Sequence, residues 1–307
     1  MPQQKIDIVY TWVDGRDVAW LKTKQKHHHL VNADSDFFAN VNGRFRDNRE
    51  LLFSLRALDQ YFPEHGNVYI VTDNQVPSFL NDRVIIVDHQ AIMESVPTYS
   101  SKKIESNLFK IKGLSERFIY FNDDVFLGPN FKISDYFKDN QCVIHYENNR
   151  DSAVTNTERS ETNAANLSEL ILTEAYEDYS HHAVAMSHAP RAVIKSHYQA
   201  FINQFNVQYE ISQTEIFRDK NVPLLLGDLF SRWAIHNQLA SVGKVPHIYL
   251  QTTDDTSKLA QFLAEFSQYH YFCINDTSDN INDNHGSLTR VEALLNSVYP
   301  TKSRYEI

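Results

Sequence analysis

Short apolar runs that end on a polar residue recur along the first half of the chain. They are six to eight residues long and rich in β-branched and aromatic residues, the pattern of a buried strand. Between them lie segments with apolar residues at helical spacing, such as Leu51, Leu55 and Leu58 before Pro63. This alternation predicts an α/β fold with a mostly parallel central sheet and flanking helices. The predicted strands are 6–13, 67–72, 83–88 and 117–122, and the predicted helices are 44–62 and 102–111.

The second half of the chain continues with further strands and helices. Segment 147–170 is polar and rich in Asn, Thr and Glu, and we interpret it as an excursion from the core. We therefore predict an α/β core at 1–150, a mostly helical acceptor or catalytic lobe at 151–246, and a C-terminal part at 247–307 that returns to the core. The predicted strands here are 142–146, 247–252 and 272–277, and the predicted helices are 188–205, 228–240, 257–266 and one from Ser287.

Composition narrows the class of protein. The 307 residues are 42% hydrophobic and carry a formal net charge of −10, which disfavours nucleic acid as a partner. Cys142 and Cys273 are far apart and form no C-x-x-C, so we expect buried thiols of a reduced protein. The first seven residues hold no apolar run, and no stretch approaches the ~20 apolar residues of a spanning helix. We expect a cytoplasmic protein, at most peripheral to the inner face of the membrane.

Common phosphate-binding and catalytic motifs are missing. The sequence has no G-x-x-x-x-G-K-[ST], no G-x-G-x-x-G after a strand, no G-x-S-x-G and no H-E-x-x-H. Because it has only eight glycines, a glycine-rich loop is not expected to hold phosphate. Any phosphate charge must then be neutralised by a metal ion or by Arg, Lys and His side chains.

Acidic residues follow the predicted strands. In a parallel sheet ligands bind beyond the carboxyl ends, so we expect Asp14, Asp73, Asp88 and the segment Asn122-Asp123-Asp124 to converge there. Adjacent carboxylates are costly to bury unpaired, and a hard cation such as Mg²⁺ or Mn²⁺ would stabilise them. A solvated turn in which an Asp caps a helix is the alternative. Asn275-Asp276 repeats the pattern, either as a second arm of the metal site or as an ordinary turn.

Basic side chains supply further candidates. His188 precedes Pro190, which could open a helix, and an imidazole can accept a proton near neutral pH. Arg44 and Arg46 precede a predicted helix and suit phosphate, although pairing with Asp47 or Glu50 is equally compatible. Arg218 could clamp a diphosphate. The polar segment 20–35 contains His27, His28 and His29, which we interpret as exposed.

Four segments resemble, in order, the conserved blocks of the Stealth family. IDIVYTWVDGRD at 6–17 is similar to the first block. RFRDNRELLFSLRALDQYFP, VYIVTDNQVPSFL and the stretch from VPTYSSKKIES, which contains Glu105, to FIYFNDDVFLG, within 44–128, are similar to the second. HAPRAVI at 188–194 with the later Arg218 resembles the third, and FCINDT at 272–277 resembles the fourth.

The resemblance implies a fold like that of nucleotide-sugar transferases, with a helical second lobe. The family includes bacterial capsule and exopolysaccharide phosphotransferases and the eukaryotic GlcNAc-1-phosphotransferase. It implies a UDP-sugar donor, Mg²⁺ or Mn²⁺, and a polysaccharide or lipid-linked glycan acceptor, with peripheral contact to a membrane-bound capsule assembly machinery. A hexose(amine)-1-phosphate would move to an acceptor hydroxyl, forming a phosphodiester and releasing UMP.

The resemblance also assigns roles to residues. One position departs from the family pattern, since Arg16 stands where a small residue is usual before Asp17. The implied catalytic residues are His188, Arg218, Asp123 and Glu105; the implied substrate-binding residues are Asp14, Asp17, Arg44, Asn122 and Asn275; the implied metal ligands are Asp124 and Asp276.

Two alternatives remain open at this point. A metal-dependent glycosyltransferase would use the same acids but attack the anomeric carbon and release UDP. A non-catalytic sugar-binding assembly protein would keep the fold and release no nucleotide.

Overall fold

The largest sheet of the protein has five strands, four of them parallel. The computed structural model describes residues 5–30, 41–94, 97–146, 160–180, 186–279 and 286–307. In spatial order the sheet is β3-β2-β1-β4-β8, with β8 antiparallel to β4 at one edge. The strands are β1 (Asp7–Thr11), β2 (Val68–Thr72), β3 (Ile85–Asp88), β4 (Arg117–Asn122) and β8 (Arg191–Ile194).

Two three-stranded sheets adjoin the main one. In the first, of order β10-β11-β5, β11 is parallel to β10 and antiparallel to β5. In the second, of order β6-β7-β9, β7 is antiparallel to β6 and parallel to β9. The strands are β5 (Val125–Leu127), β6 (Phe137–Lys138), β7 (Gln141–His145), β9 (Ala240–Gly243), β10 (His247–Gln251) and β11 (Tyr271–Asn275).

Helices pack around these sheets. Helix α2 lies in the core because its apolar residues recur every three or four positions, and Leu51, Leu55 and Leu58 are fully buried. The described helices are α1 (Val18–His27), α2 (Glu50–Tyr61), α3 (Ser101–Ser106), α4 (Ser160–Ala175), α5 (Lys195–Gln204), α6 (Asn206–Gln213), α7 (Phe230–His236), α8 (Thr256–Glu265) and α9 (Ser287–Val298).

The predicted α/β class with a mostly parallel central sheet is confirmed, as are most of its elements. The prediction for β4 matches its observed bounds, and the other strands predicted from apolar runs are present with small shifts at their ends. Helices α8 and α9 also lie where the periodicity placed them.

The prediction of a helix at 188–205 is wrong at its start. Residues Arg191–Ile194 form β8 and pair with β4, and only then does α5 begin. Ala192, Val193 and Ile194 are buried, so the apolar run forms an edge strand of the main sheet and not the buried face of a helix. The helix predicted at 228–240 is also shorter than expected. It ends at His236, because Gln238 adopts a left-handed conformation (φ 58°) and the chain continues into β9.

Two further helix boundaries differ from expectation. The predicted helix 44–62 is interrupted, because Arg49 has φ 67° and α2 begins only at Glu50. Helix α1 was not predicted at all, since Trp20 is its one buried side chain and the periodic signal is correspondingly weak. His28 and His29 are exposed as expected, whereas His27 is half-buried.

The segment predicted as a second lobe is joined to the core. Its first boundary, at residue 150, lies outside the described residues. Within 151–246 the chain contributes α4, α5, α6 and α7, but also β8 to the main sheet and β9 to the sheet of β7.

Two findings bear on the compositional predictions. Cys142 and Cys273 are free and buried, as expected. In the part of the chain that the structure describes, no helix combines the length and the apolar character needed to cross a bilayer.

Asp7 fixes the end of the main sheet that lies away from the carboxyl edge. Its carboxylate is 1% exposed and accepts hydrogen bonds from the backbone N–H of Asn67 (2.7 Å) and of Ser115 (2.8 Å). It therefore ties the start of β1 to the turns that precede β2 and β4.

We expect Asp7→Ala to lower the free energy of unfolding by about 2–4 kcal/mol, because two buried N–H donors would lose their acceptor. Urea denaturation of the full chain measures this change. The control is Asp82→Ala, which removes an exposed carboxylate. A wild-type midpoint for Asp7→Ala would show that the two backbone donors find other acceptors.

Candidate active site

A cleft opens at the carboxyl edge of the main sheet, with about 1010 Å³ of space when the open solvent at its mouth is included. The ends of β1, β2 and β4 form its floor, since Thr11 lies opposite Val71 on one side and Asn122 on the other. Ten of the residues singled out from the sequence line this cleft: Arg44, Arg46, Asp73, Asn122, Asp123, Asp124, His188, Arg218, Asn275 and Asp276.

The turn after β4 brings three kinds of side chain together. His188 Nε2 lies 3.2 Å from Asp124 Oδ1, and Cys273 Sγ lies 3.5 Å from Asp124 Oδ2. The backbone of the turn is held by a hydrogen bond from Ile274 N–H to the Asp124 carbonyl (3.0 Å). The His188 side chain is 28% exposed and that of Asp124 is 16% exposed, so both are open to a ligand in the cleft.

Alternate residues of β11 support this turn. Tyr271, Cys273 and Asn275 are two positions apart, so their side chains point to one face of the strand. Tyr271 donates a hydrogen bond to Ser187 Oγ (3.0 Å), and Ser187 in turn donates to the His145 carbonyl from both its backbone N–H and its hydroxyl. The backbone next to His188 is thereby fixed.

A second aromatic residue contacts the histidine directly. The ring of Tyr249, on β10, lies edge-on to the His188 ring with centroids 6.2 Å apart. The Tyr249 hydroxyl accepts hydrogen bonds from Asn275 Nδ2 and from Gln251 Nε2. Strands β10 and β11 therefore both orient the imidazole.

Carboxylates crowd the other side of the turn. Burial raises the pKa of Asp123 well above its usual range, and the nearby carboxylates of Glu50, Asp124 and Asp47 raise it further. Burial likewise raises the pKa of Glu50 to about 8 and raises that of Asp47. Keeping these groups together therefore costs free energy, because each carboxylate is desolvated and the carboxylates repel one another.

A hard divalent cation fits this arrangement. Asp123 and Asp124 both line the cleft, and Mg²⁺ typically binds one or two carboxylates together with substrate phosphate. A divalent charge beside these groups would offset their repulsion and favour their ionised forms.

Asp276 is differently placed from Asp124. Its Oδ2 accepts hydrogen bonds from Arg46 Nη1 (2.7 Å) and Asn48 Nδ2 (3.3 Å), and its Oδ1 accepts from Thr252 Oγ1 and the Ser278 N–H. Both oxygens therefore already have partners, and a cation would have to displace at least one of them.

Three arginines line the cleft. Arg46 pairs with Asp276, and Arg218 donates to the Ser101 hydroxyl at the start of α3. Arg44 lies in a 3-10 turn at Asn42–Phe45, well before the start of α2, so its expected place at a helix start is wrong. Asp47 Oδ2 lies 3.5 Å from Arg16 Nη2.

Three of the residues to which the resemblance assigns a role are not among those that line the cleft. Asp14 accepts hydrogen bonds from the backbone and side chain of Arg16, and Asp17 caps α1 by accepting from the Trp20 N–H (2.8 Å). Glu105 is 4% exposed and lies within hydrogen-bonding reach of the Tyr120 hydroxyl, which contacts Thr11 Oγ1 at 3.0 Å. Glu105 therefore reaches the cleft only through other side chains.

The far end of the cleft holds residues that sequence reasoning did not assign to a site. His89 is 4% exposed and its Nδ1 lies 4.0 Å from Asp73 Oδ1; burial lowers the pKa of His89 to about 4. Trp20 and Tyr99 pack edge to face beside them, with centroids 5.4 Å apart. His89 follows β3 directly, and this position after a strand is the sequence signal that could have marked it as a site residue. Asp88 instead caps the turn at His89–Ala91.

Two family models match parts of the chain. The models for Stealth protein CR1, conserved region 1, and Stealth protein CR2, conserved region 2, match residues 4–27 and 44–145. The chain is also similar to the galactosyltransferase LgtC in complex with donor and acceptor sugar analogues, at 9% identity and a TM-score of 0.44 over 95% of this chain and 96% of the other.

Similarity over most of this chain extends to named bacterial proteins. The capsular polysaccharide phosphotransferase fcs1 of Haemophilus influenzae is 34% identical over 90% of this chain and 79% of its own length. The exopolysaccharide phosphotransferase SCO6023 of Streptomyces coelicolor is 31% identical over 98% of this chain, which spans about half (52%) of that relative. The resemblance found in the sequence is therefore confirmed: the chain belongs to the Stealth protein family.

Proposed function

We propose that this chain is a metal-dependent phosphotransferase that moves a hexose(amine)-1-phosphate from a UDP-sugar to a hydroxyl of a surface polysaccharide or lipid-linked glycan. The supporting observation is the contact of His188 with Asp124 in a cleft that also holds Arg44, Arg46 and Arg218. A base, an acidic cation site and anion-binding side chains are the groups that phosphoryl transfer needs. The relatives named as capsular and exopolysaccharide phosphotransferases support the acceptor class.

His188 acts as the base that accepts the proton of the attacking hydroxyl. The carboxylate of Asp124 accepts a hydrogen bond from Nε2 and orients the ring, so that Nδ1 is the nitrogen that takes the proton. Tyr249 and the Ser187 network hold the ring and its backbone in this position.

Arginine side chains stabilise the phosphate charge. Arg218 and Arg44 lie in the cleft, and guanidinium groups match the planar geometry of phosphate oxygens. Losing such a group typically costs on the order of 10² to 10³ in rate.

Asp124, with Asp123 beside it, would hold a Mg²⁺ or Mn²⁺ ion, which supplies charge stabilisation for the leaving UMP. Asp276 joins this set when its ion pair with Arg46 opens. Asn122 and Asn275 offer amide groups to the sugar or ribose, and Glu105 acts through Tyr120 and Thr11. We place the reaction at the cytoplasmic face of the membrane, where nucleotide sugars and capsule assembly meet.

The leaving nucleotide distinguishes this reaction from glycosyl transfer. With a panel of UDP-sugars, Mg²⁺ and polysaccharide acceptor, we expect UMP and phosphodiester to form in equal amounts, because the bond that breaks lies within the diphosphate. Nucleotide chromatography and phosphorus NMR measure both products. UDP release without a phosphodiester signal would indicate a glycosyltransferase, and no nucleotide release with any donor would indicate a binding protein.

We expect His188→Ala to lower kcat by on the order of 10² to 10⁴, because the hydroxyl proton would lose its acceptor. Rates are measured with metal and donor saturating. The control is His29→Ala, which removes an exposed imidazole. Near-normal turnover by the His188 variant would remove this residue from the mechanism.

We expect Tyr271→Phe to lower kcat while leaving the donor KM unchanged, because the lost hydrogen bond frees the backbone beside His188. The matched control is Tyr299→Phe, which removes another buried hydroxyl, one that donates to the Leu127 carbonyl. Equal effects of the two variants on kcat would mean that Tyr271 only stabilises the fold.

A further inference from the structure

The ligand atoms around Asp124 are not all oxygen. His188 Nε2, the Asp124 carboxylate and Cys273 Sγ come from three separate segments of the chain, and these atoms all lie within 4.8 Å of one another. Cys273 is 1% exposed and buried behind the carboxylate, so it meets the cleft through Asp124. One nitrogen, one oxygen and one sulfur ligand atom thus lie close together.

The three ligand groups are close enough to converge on one zinc ion. With Zn–S near 2.3 Å and Zn–N and Zn–O near 2.0 Å, tetrahedral geometry places S and O about 3.5 Å apart and N and O about 3.3 Å apart. Cys273 Sγ lies 3.5 Å from Asp124 Oδ2 and His188 Nε2 lies 3.2 Å from Asp124 Oδ1, so a rotation of the carboxylate that turns one oxygen toward both partners would complete the set.

Ligand chemistry separates this set from the acidic one. Mg²⁺ prefers oxygen atoms and rarely binds imidazole or thiolate, whereas Zn²⁺ binds all three donors present here. Asp124 is common to both sets: with Asp123 it offers oxygen to a hard cation, and with His188 and Cys273 it offers a mixed set to a softer one.

We propose that Asp124, His188 and Cys273 form a binding site for Zn²⁺ whose occupation inhibits the enzyme. On binding, the Cys273 thiol releases its proton to solvent, and the proton of His188 moves from Nε2 to Nδ1 as Nε2 takes the metal. The two hydrogen bonds to Asp124 are replaced by metal bonds, and the fourth position faces the cleft.

Inhibition follows from the tautomer of His188. The zinc-bound ring carries its proton on Nδ1, the atom that must accept the hydroxyl proton, and Asp124 is withdrawn from the hard cation. This consequence rests on the proposed function, whereas the binding of Zn²⁺ does not.

Cobalt reports the site without any turnover. The metal-free full chain is titrated with Co²⁺, a spectroscopic substitute for Zn²⁺, and the near-ultraviolet band of thiolate-to-cobalt charge transfer is recorded. We expect a saturable band with one Co²⁺ per chain that Zn²⁺ abolishes and millimolar Mg²⁺ does not. Absence of the band in the wild-type chain overturns the proposal.

The second cysteine supplies the matched control. Cys142 is also buried, on β7, and is the one other thiol in the sequence. Cys142→Ser should keep the band, and Cys273→Ser should lose it and bind Zn²⁺ at least about tenfold more weakly. Cys273→Ala, checked by circular dichroism, serves if the serine variant does not fold. A band that survives in the folded Cys273 variants contradicts the proposal.

Zinc sensitivity of turnover completes the test. Each variant is compared with its own zinc-free rate in Mg²⁺, and we expect half-inhibition of the folded Cys273 variant to need at least about tenfold more Zn²⁺ than the wild type. If no donor is turned over while the cobalt band is present, the proposed function fails and the zinc site stands. If turnover occurs and the band is absent, the zinc site fails alone.

Discussion

The site depends on the pairing of β1 with a parallel strand on each side. Thr11 lies opposite Val71 of β2 and opposite Asn122 of β4, so these strands end at one level. Neighbouring strands are about 4.8 Å apart, and the residues that follow them therefore form a row along a single edge. Since backbone hydrogen bonds fix this register, the side chains of the row need no contact with each other to stay close, and like charges such as Asp123 and Asp124 can be held together against their repulsion.

A second ladder joins the two halves of the site. Strand β5 starts directly after Asp124 and pairs with β11, where Cys273 lies opposite Val125. Carboxylate and thiol are 149 positions apart in sequence, yet one strand pairing sets their distance. The same strand reaches Ser187 through Tyr271, so a displacement of β11 would move the carboxylate and the imidazole together.

Sequence reasoning succeeded where local pattern determines structure. The bounds of β4 and the acidic turn after it follow from an apolar run that ends on Asn122. It failed where the partners are distant in sequence. The local sequence does not show that Arg46 forms an ion pair with Asp276, or that Glu105 is buried against Tyr120. Cys273 was taken for an ordinary buried thiol, which its burial bears out. Its contact with Asp124 could be inferred only by knowing which face of β11 meets the turn.

The charge of the chain constrains what the cleft can admit. The formal net charge of −10 opposes the entry of a bare diphosphate. Three arginines offset this only in part, because Arg46 is already paired with Asp276. A nucleoside diphosphate complexed with a divalent cation carries little net charge and brings the cation to the carboxylates. For the donor that we propose, the charge of the chain therefore favours the metal complex over the free anion.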